Sequence, residues 1–155
     1  MTLNSTVVTF SAADATFAVP VSKVKEILDL REISRMPHAP HYFLGMIDIR
    51  GDNVPVVDLR RILGAADTED TPATRILVLE FDNEVTTSET IGIRCDRVIE
   101  VTSLDEGSVR PVTSADTIRW NGEVIAGIGR KDGELVTQID IDRLFDTLDI
   151  PQSAA

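Results

Sequence analysis

Cysteine is almost missing from this sequence: among 155 residues there is only Cys95. A lone thiol excludes an internal disulfide and cannot by itself build a cysteine zinc site. Histidine occurs twice, as His38 and His41, with Pro37 and Pro40 interrupting the stretch. No regular helix can then present both rings on one face, and no third ligand stands nearby. The pair reads as polar groups on a loop that supports Tyr42 and Phe43. Aromatic residues make up 5% of the chain, and positive charge is in deficit: 15 Lys and Arg stand against 26 Asp and Glu, a net charge of −11. Such a surface repels phosphate backbones and has few rings for stacking bases, which argues against nucleic-acid binding. No apolar run approaches the roughly 20 residues of a membrane span. The opening MTLNSTVVTF lacks the basic patch and long apolar core of a signal peptide. The expected location is cytoplasmic.

The motifs of catalysis are missing as well. There is no GxxxxGK[ST], GxGxxG or GxSxG, and Gly127-Ile128-Gly129 lacks a third glycine and a following helix. Asp140, Asp142, Asp146 and Asp149 form an acidic run without the central glycine and terminal glutamate of a hand-type calcium loop. Asp140 is better placed as a helix N-cap, with the others on a solvated face. Asp48 and Asp58 have no partner suggesting a raised-pKa pocket and are expected to be solvent-facing strand residues. Cys95, beside Ile93 in an apolar strand, is expected in the core. No enzyme activity, metal or cofactor is therefore expected.

What is present is a repeated hairpin. In GMIDIRGDNVPVVDLRRIL, Gly45 to Leu63, Ile47 and Ile49 alternate with Asp48 and Arg50, the period-two pattern of a half-buried strand. Gly51-Asp52-Asn53 reads as the turn, and Val54, Val56, Val57 and Leu59 as the return strand. Pro55 predicts an edge or a bulge there, because it cannot donate to a ladder. GIGRKDGELVTQIDIDRLF, Gly127 to Phe145, overlays this stretch without a gap, matching Gly45 with Gly127, Gly51 with Gly133, Asp58 with Asp140 and Arg61 with Arg143. A second echo places IRCDRVIEV, Ile93 to Val101, on VPVSKVKEI, Val19 to Ile27, so that Val24 falls on Val98 and Glu26 on Glu100.

The remaining chain fits around these repeats. Val7 to Phe10 and Phe17 to Val19 predict a hairpin ended by Pro20. Ser22 can cap a short helix over Lys23 to Leu30, with Val24, Ile27 and Leu28 on one face. Ile33 to Met36 predicts a brief strand. GAADTEDTPAT, Gly64 to Thr74, is small and acidic and reads as an exposed, mobile linker between halves. Strands are expected at Arg75 to Phe81, Ile91 to Cys95 and Val124 to Ile128, a turn at Trp120-Asn121-Gly122, and a closing helix at Asp140 to Leu148. The second half carries a longer insertion, Ser103 to Thr117. Two halves of about five short strands each, at about 7–64 and 74–148, predict paired small β-barrels, since parallel βαβ units would need longer crossovers. Barrels of this size have little core alone and should pack together, leaving a groove.

Function then falls to exposed edges and loops. Arg50 faces away from Ile47 and Ile49 and is either a specific contact or a surface arginine paired with Glu26 or Asp52. Val24 is either core or interface.

Several blocks resemble the CheW-type chemotaxis coupling proteins: FAVPVSKVKEIL, then Ile33 to Pro37 followed by Ala39-Pro40, then GMIDIRGDNVPVVDLR. IGIRCDRVIEV, Val109-Arg110-Pro111 and AGIGRKDGELVTQIDIDRLF resemble that family's second half. The likeness runs from about Val7 to Leu148. It implies a mostly β, single CheW-like domain of two five-stranded SH3-like barrels sharing a core. It also implies a non-enzymatic adaptor that bridges the cytoplasmic tip of a chemoreceptor and the regulatory domain of a CheA-type histidine kinase, reaching the membrane only through receptors. By position, receptor contacts fall on Val24, Glu26, Gly45 and Arg50, and a kinase or ring contact on Arg110. Asp48 stands where the family usually has asparagine, which bears on partner preference. No receiver domain follows Leu148, which disfavours the phosphorylatable CheV-type relative. The alternatives are a scaffold of a non-flagellar chemosensory pathway and a small ligand- or metal-binding barrel.

Overall fold

In the computed structural model, residues 6–67, 69–81, 89–105 and 125–147 are described, with side chains up to residue 144. Strand β1, Thr6–Ala12, and β2, Ala15–Pro20, form the expected first hairpin. Its two turn residues, Ala13 and Asp14, both have positive φ, the mirror-type turn whose twist suits the flanking strands. A single 3-10 turn, Val21–Lys23, leads into β3, Val24–Asp29. Strands β4, Phe43–Ile49, and β5, Asp52–Asp58, make the central hairpin and run into helix α1, Leu59–Ile62. Then follow β6, Arg75–Phe81; β7, Glu89–Cys95; β8, Arg97–Ser103; β9, Ile125–Lys131; β10, Glu134–Ile139; and helix α2, Ile141–Thr147.

The fold is mostly β, in two five-stranded sheets ordered β8-β1-β2-β10-β9 and β3-β6-β7-β5-β4. Exchanging β1 with β6, β2 with β7, and so on to β5 with β10, turns one order into the other. The repeat is therefore structural, down to its irregularities. The β4–β5 ladder skips Leu44, and β9–β10 skips Ala126 at the matching place. The β3–β6 ladder skips Lys25, and β8–β1 skips Ile99. Each half also supplies one parallel pairing, β5 with β7 and β10 with β2.

The sheets do not follow the two halves of the sequence. Each takes two strands from one half and three from the other, so the strands cross the expected division at about 7–64 and 74–148. The exchange occurs where β2 gives way to β3 and where β7 gives way to β8 across Asp96. Intertwining lets both faces of several strands be buried. In β6, Leu77 and Leu79 enter the layer shared by the sheets, with Phe10, Phe17, Val57 and Ile93, while Ile76 and Val78 join Ile47, Ile49, Val54 and Val56 on the far side. A smaller cluster, Val7, Ala18 and Val136, lies behind the other sheet. Burial on both faces explains why RILVLEF reads as an almost unbroken apolar run. Leu59 of α1 and Ile141 and Leu144 of α2 fill the shared layer.

Three local expectations change. The helix over Lys23 to Leu30 is instead edge strand β3 after the short turn: Val24, Glu26 and Leu28 are half-buried, and Lys25, Ile27 and Asp29 exposed. Ile27 faces outward and gave the segment a false helical spacing. Ile33 to Met36 contributes one bridge, Ser34 to Met46, rather than a strand. Pro55 lies in an inner strand, but just before the parallel ladder with β7 begins at Val56. The described residues of the Gly64 to Thr74 linker are mostly exposed, as expected, and three of them are anchored. Asp67 is held by Arg61 at 2.7 Å, Asp70 by the buried Arg94 at 2.7 Å, and Thr74 is itself buried. Trp120-Asn121-Gly122, most of the Ser103 to Thr117 insertion and Val124 lie outside the described residues. Among the described residues, no helix is long and apolar enough to cross a membrane.

Candidate functional site

The central hairpin turns at Arg50-Gly51, one residue earlier than the sequence suggested. Ile49 pairs with Asp52, and the two residues between have φ of 49° and 91°. Arg50 thus occupies a left-handed position that a non-glycine residue seldom takes. The Asp48 carboxylate accepts a bond from the Gly51 amide at 2.8 Å and steadies the turn. Asp48 is exposed, as expected.

This turn delivers Arg50 to Glu26 on β3. The guanidinium donates to both carboxylate oxygens, one at 3.2 Å and the other closer. The Arg50 side chain is 74% exposed and that of Glu26 26%, so the pair lies on the surface with Arg50 outermost. The Arg50 hydrogen bond holds the Glu26 carboxyl below its ordinary value, and Glu26 in turn raises Arg50. Because β3 and β4 are opposite edges of one sheet, the pair ties the free edge strand to the far hairpin. The Ser34–Met46 bridge, with bonds of 2.8 Å in both directions, does the same by backbone. These two ties bring an open five-stranded sheet toward SH3-like closure.

Val24 begins β3, half-buried against the shared core, two residues from Glu26. Gly45 is buried at the β4 bulge with φ of 140°. A Cβ there would come within 2.2 Å of the Ser34 carbonyl oxygen, so the close backbone approach itself requires glycine. The structure therefore brings Glu26 and Arg50 together and sets Val24 two residues from Glu26, while Gly45 packs against Ser34 and Ile33 on the strand that leads to the turn. Arg110 lies outside the described residues.

Asp58 departs most from expectation. It is fully buried, caps α1 through the Arg60 amide at 3.0 Å, and pairs with the Arg60 guanidinium at 2.6 Å. A buried carboxylate is tolerable only with such partners. Its repeat partner Asp140 caps α2 through the Arg143 amide at 3.1 Å, as the sequence suggested. The pairing of Asp58 with an arginine two residues on is the signal that sequence reading passed over. Arg94 extends the network, bonding Asp70 and, at 2.9 Å, Asp96 of the β7–β8 crossing.

Cys95 is buried in the shared core, and burial pushes its thiol up to about 12, which leaves it unreactive. His38 and His41 are exposed on the loop before β4. Among the described residues, no group of three or more His, Cys, Asp or Glu side chains is placed to hold a metal ion. The chemistry on offer is a paired-charge surface beside an edge strand, suited to contact with another protein.

Comparison with known proteins bears on that surface. Residues 6–149 match the CheW-like domain family. The chain is 26% identical over 146 residues to the chemotaxis protein CheW of Thermotoga maritima, covering 94% of this chain and 91% of that one. It is 28% identical over 132 residues to CheW of Bacillus subtilis, covering 84% and 80%. The crystal structure of the scaffolding protein TtCheW from Thermoanaerobacter tengcongensis superposes with a TM-score of 0.81 at 26% identity, over 94% of this chain and 90% of that one.

Proposed function

The chain belongs to the CheW-like domain family, whose members are chemotaxis coupling scaffolds, and from that premise we propose that it joins a chemoreceptor's cytoplasmic tip to the regulatory domain of a CheA-type histidine kinase. It works in the cytoplasm, at receptor arrays, and catalyses nothing. The observation that carries this reading is the Glu26–Arg50 pair. Two residues that the family resemblance assigns to receptor contact, 24 positions apart in sequence, meet on one exposed face. Val24 lies two residues from Glu26, and Gly45 sits at the bulge of the strand that carries the Arg50 turn. Arg50 offers guanidinium donors beyond those spent on Glu26, so a receptor carboxylate or carbonyl can be added to an existing ion pair. Arg110, in the insertion of the second half, is assigned to the kinase or a ring neighbour.

The test is a pull-down with a receptor-tip fragment and the kinase regulatory domain, presented separately to the full chain. Both should be retained. Arg50→Glu should lose the receptor fragment and keep the kinase domain, and Arg110→Glu should do the reverse. Capture of neither fragment by the native chain would refute the coupling role.

A further inference from the structure

A groove of about 590 Å³ lies between the 30–44 segment and the acidic linker. Its apolar wall includes Ile33, Leu44 and Met36, the last 41% exposed. Five arginines line it: Arg31, Arg35, Arg60, Arg61 and Arg94. Against the four lining carboxylates, Asp58, Asp67, Glu69 and Asp70, they leave a small positive excess in a chain of net charge −11.

Three of those arginines already bind carboxylates. Arg60 holds Asp58, Arg61 holds Asp67 and Arg94 holds Asp70, at 2.6, 2.7 and 2.7 Å. The groove is thus built to seat aspartate side chains, and its own linker supplies two of them. Arg31 and Arg35 are different. Both are exposed, and among the described residues neither makes a hydrogen bond or ion pair. The Glu26 charge that Arg31 feels is already taken by Arg50. Against these two cations the groove sets one further carboxylate, Glu69. The unspent charge is positive and sits beside exposed apolar surface that includes a methionine, a side chain that repacks readily around a guest.

We propose that this groove is a second docking site, for a segment of a partner protein that carries both acidic and apolar side chains. Its carboxylates take Arg31 and Arg35, and its apolar side chains lie on Ile33, Met36 and Leu44. Neither Glu26 nor Arg50 lines the site, although Arg31 lies within reach of the Glu26 charge, and the proposal does not depend on the chemosensory reading.

The test is fluorescence anisotropy of the full chain with a short labelled peptide of alternating leucine and glutamate, against the same peptide with glutamine for glutamate. The acidic peptide should bind, more weakly as salt rises, and the glutamine peptide should not. Arg31→Glu with Arg35→Glu should weaken binding by roughly tenfold, the sum of two reversed exposed charge contacts. Met36→Ser should weaken it independently. Equal binding of both peptides, no binding, or indifference to the double reversal would each overturn the proposal. If the double reversal also abolished receptor-fragment capture, the claim of a separate site would fall while the coupling role stood.

Discussion

Three residues of the central hairpin answer to different physics. Gly45 is required by space and by backbone: a Cβ would strike the Ser34 carbonyl, and its φ of 140° strains any other residue. Gly45→Ala should cost about 3 kcal/mol and loosen the Ser34–Met46 bridge, read as a lower denaturation midpoint and faster amide exchange at both residues. Gly51 has open space around it, so only its left-handed φ matters. Gly51→Ala should therefore cost about 1–2 kcal/mol, with a still larger loss for valine. Arg50 is largely exposed, and its reversal to glutamate should change the melting temperature little while abolishing receptor-fragment binding; a drop of several degrees would make the arginine structural. The Glu26 side of the pair is visible by pH. Arg50 lowers the folded-state value of Glu26, so the pair's contribution is complete above the ordinary 4.5 and disappears as pH falls through the lowered value. Carbon-detected titration should place Glu26 below 4.5 in the native chain and nearer it in Arg50→Ala. Glu26 and Arg50 were legible from the family pattern, and Glu26 was one of two partners that charge alone allowed. The role of Gly45 was not legible, since the carbonyl it avoids lies 11 residues away on a strandless segment.

Elements were readable where one face was wet and the other dry. The β4–β5 hairpin, β1–β2, the apolar β6 and the capped α2 all follow from alternation, turn chemistry or a cap. Segment 23–30 failed because bulged edge strand β3 exposes Ile27, and three apolar positions then mimic a helical face. The internal repeat contained the remedy: β3 aligns with Arg97 to Val101, whose β-branched Val98, Ile99 and Val101 favour a strand. Capping illustrates the same limit. Asp58 and Asp140 hold equivalent positions in the repeat, yet one is buried beneath Arg60 and the other partly exposed. Removing Asp58 takes its nearest carboxylate from a buried guanidinium and leaves Asp96 at 3.9 Å, so Asp58→Ala should cost about 3–5 kcal/mol. Asp140→Ala forfeits only a cap, about 1 kcal/mol. Urea unfolding of the two variants should separate them; equal losses would show that Arg60 finds another partner or water when Asp58 is gone.

At the scale of the molecule, the sequence showed that one plan occurs twice but not how the copies combine. Gap-free overlays are equally compatible with two self-contained barrels and with two that trade strands, because local alternation carries no record of which strand lies alongside. The structure trades them. Residues before the linker supply β1 and β2 to one sheet and β3, β4 and β5 to the other, and the second half completes both. Neither half can then bury its own strands: β6, with both faces in core, would lose β3 on one edge, and β2 would lose the β10 that shields Phe17 and Ala18. Fragments 1–68 and 69–155, divided within the linker, should each lack cooperative unfolding when purified alone. Mixed, they should form a one-to-one complex with a native-like circular dichroism spectrum, because the exchanged ladders are non-local and need no covalent join. Charge reversal at Lys23 should weaken that complex, since Lys23 of the first fragment reaches Asp142 of the second at 3.4 Å. A cooperative thermal transition from either fragment alone would mean that a half can close a barrel by itself, and the crossing would then be an accident of connectivity and not the source of stability.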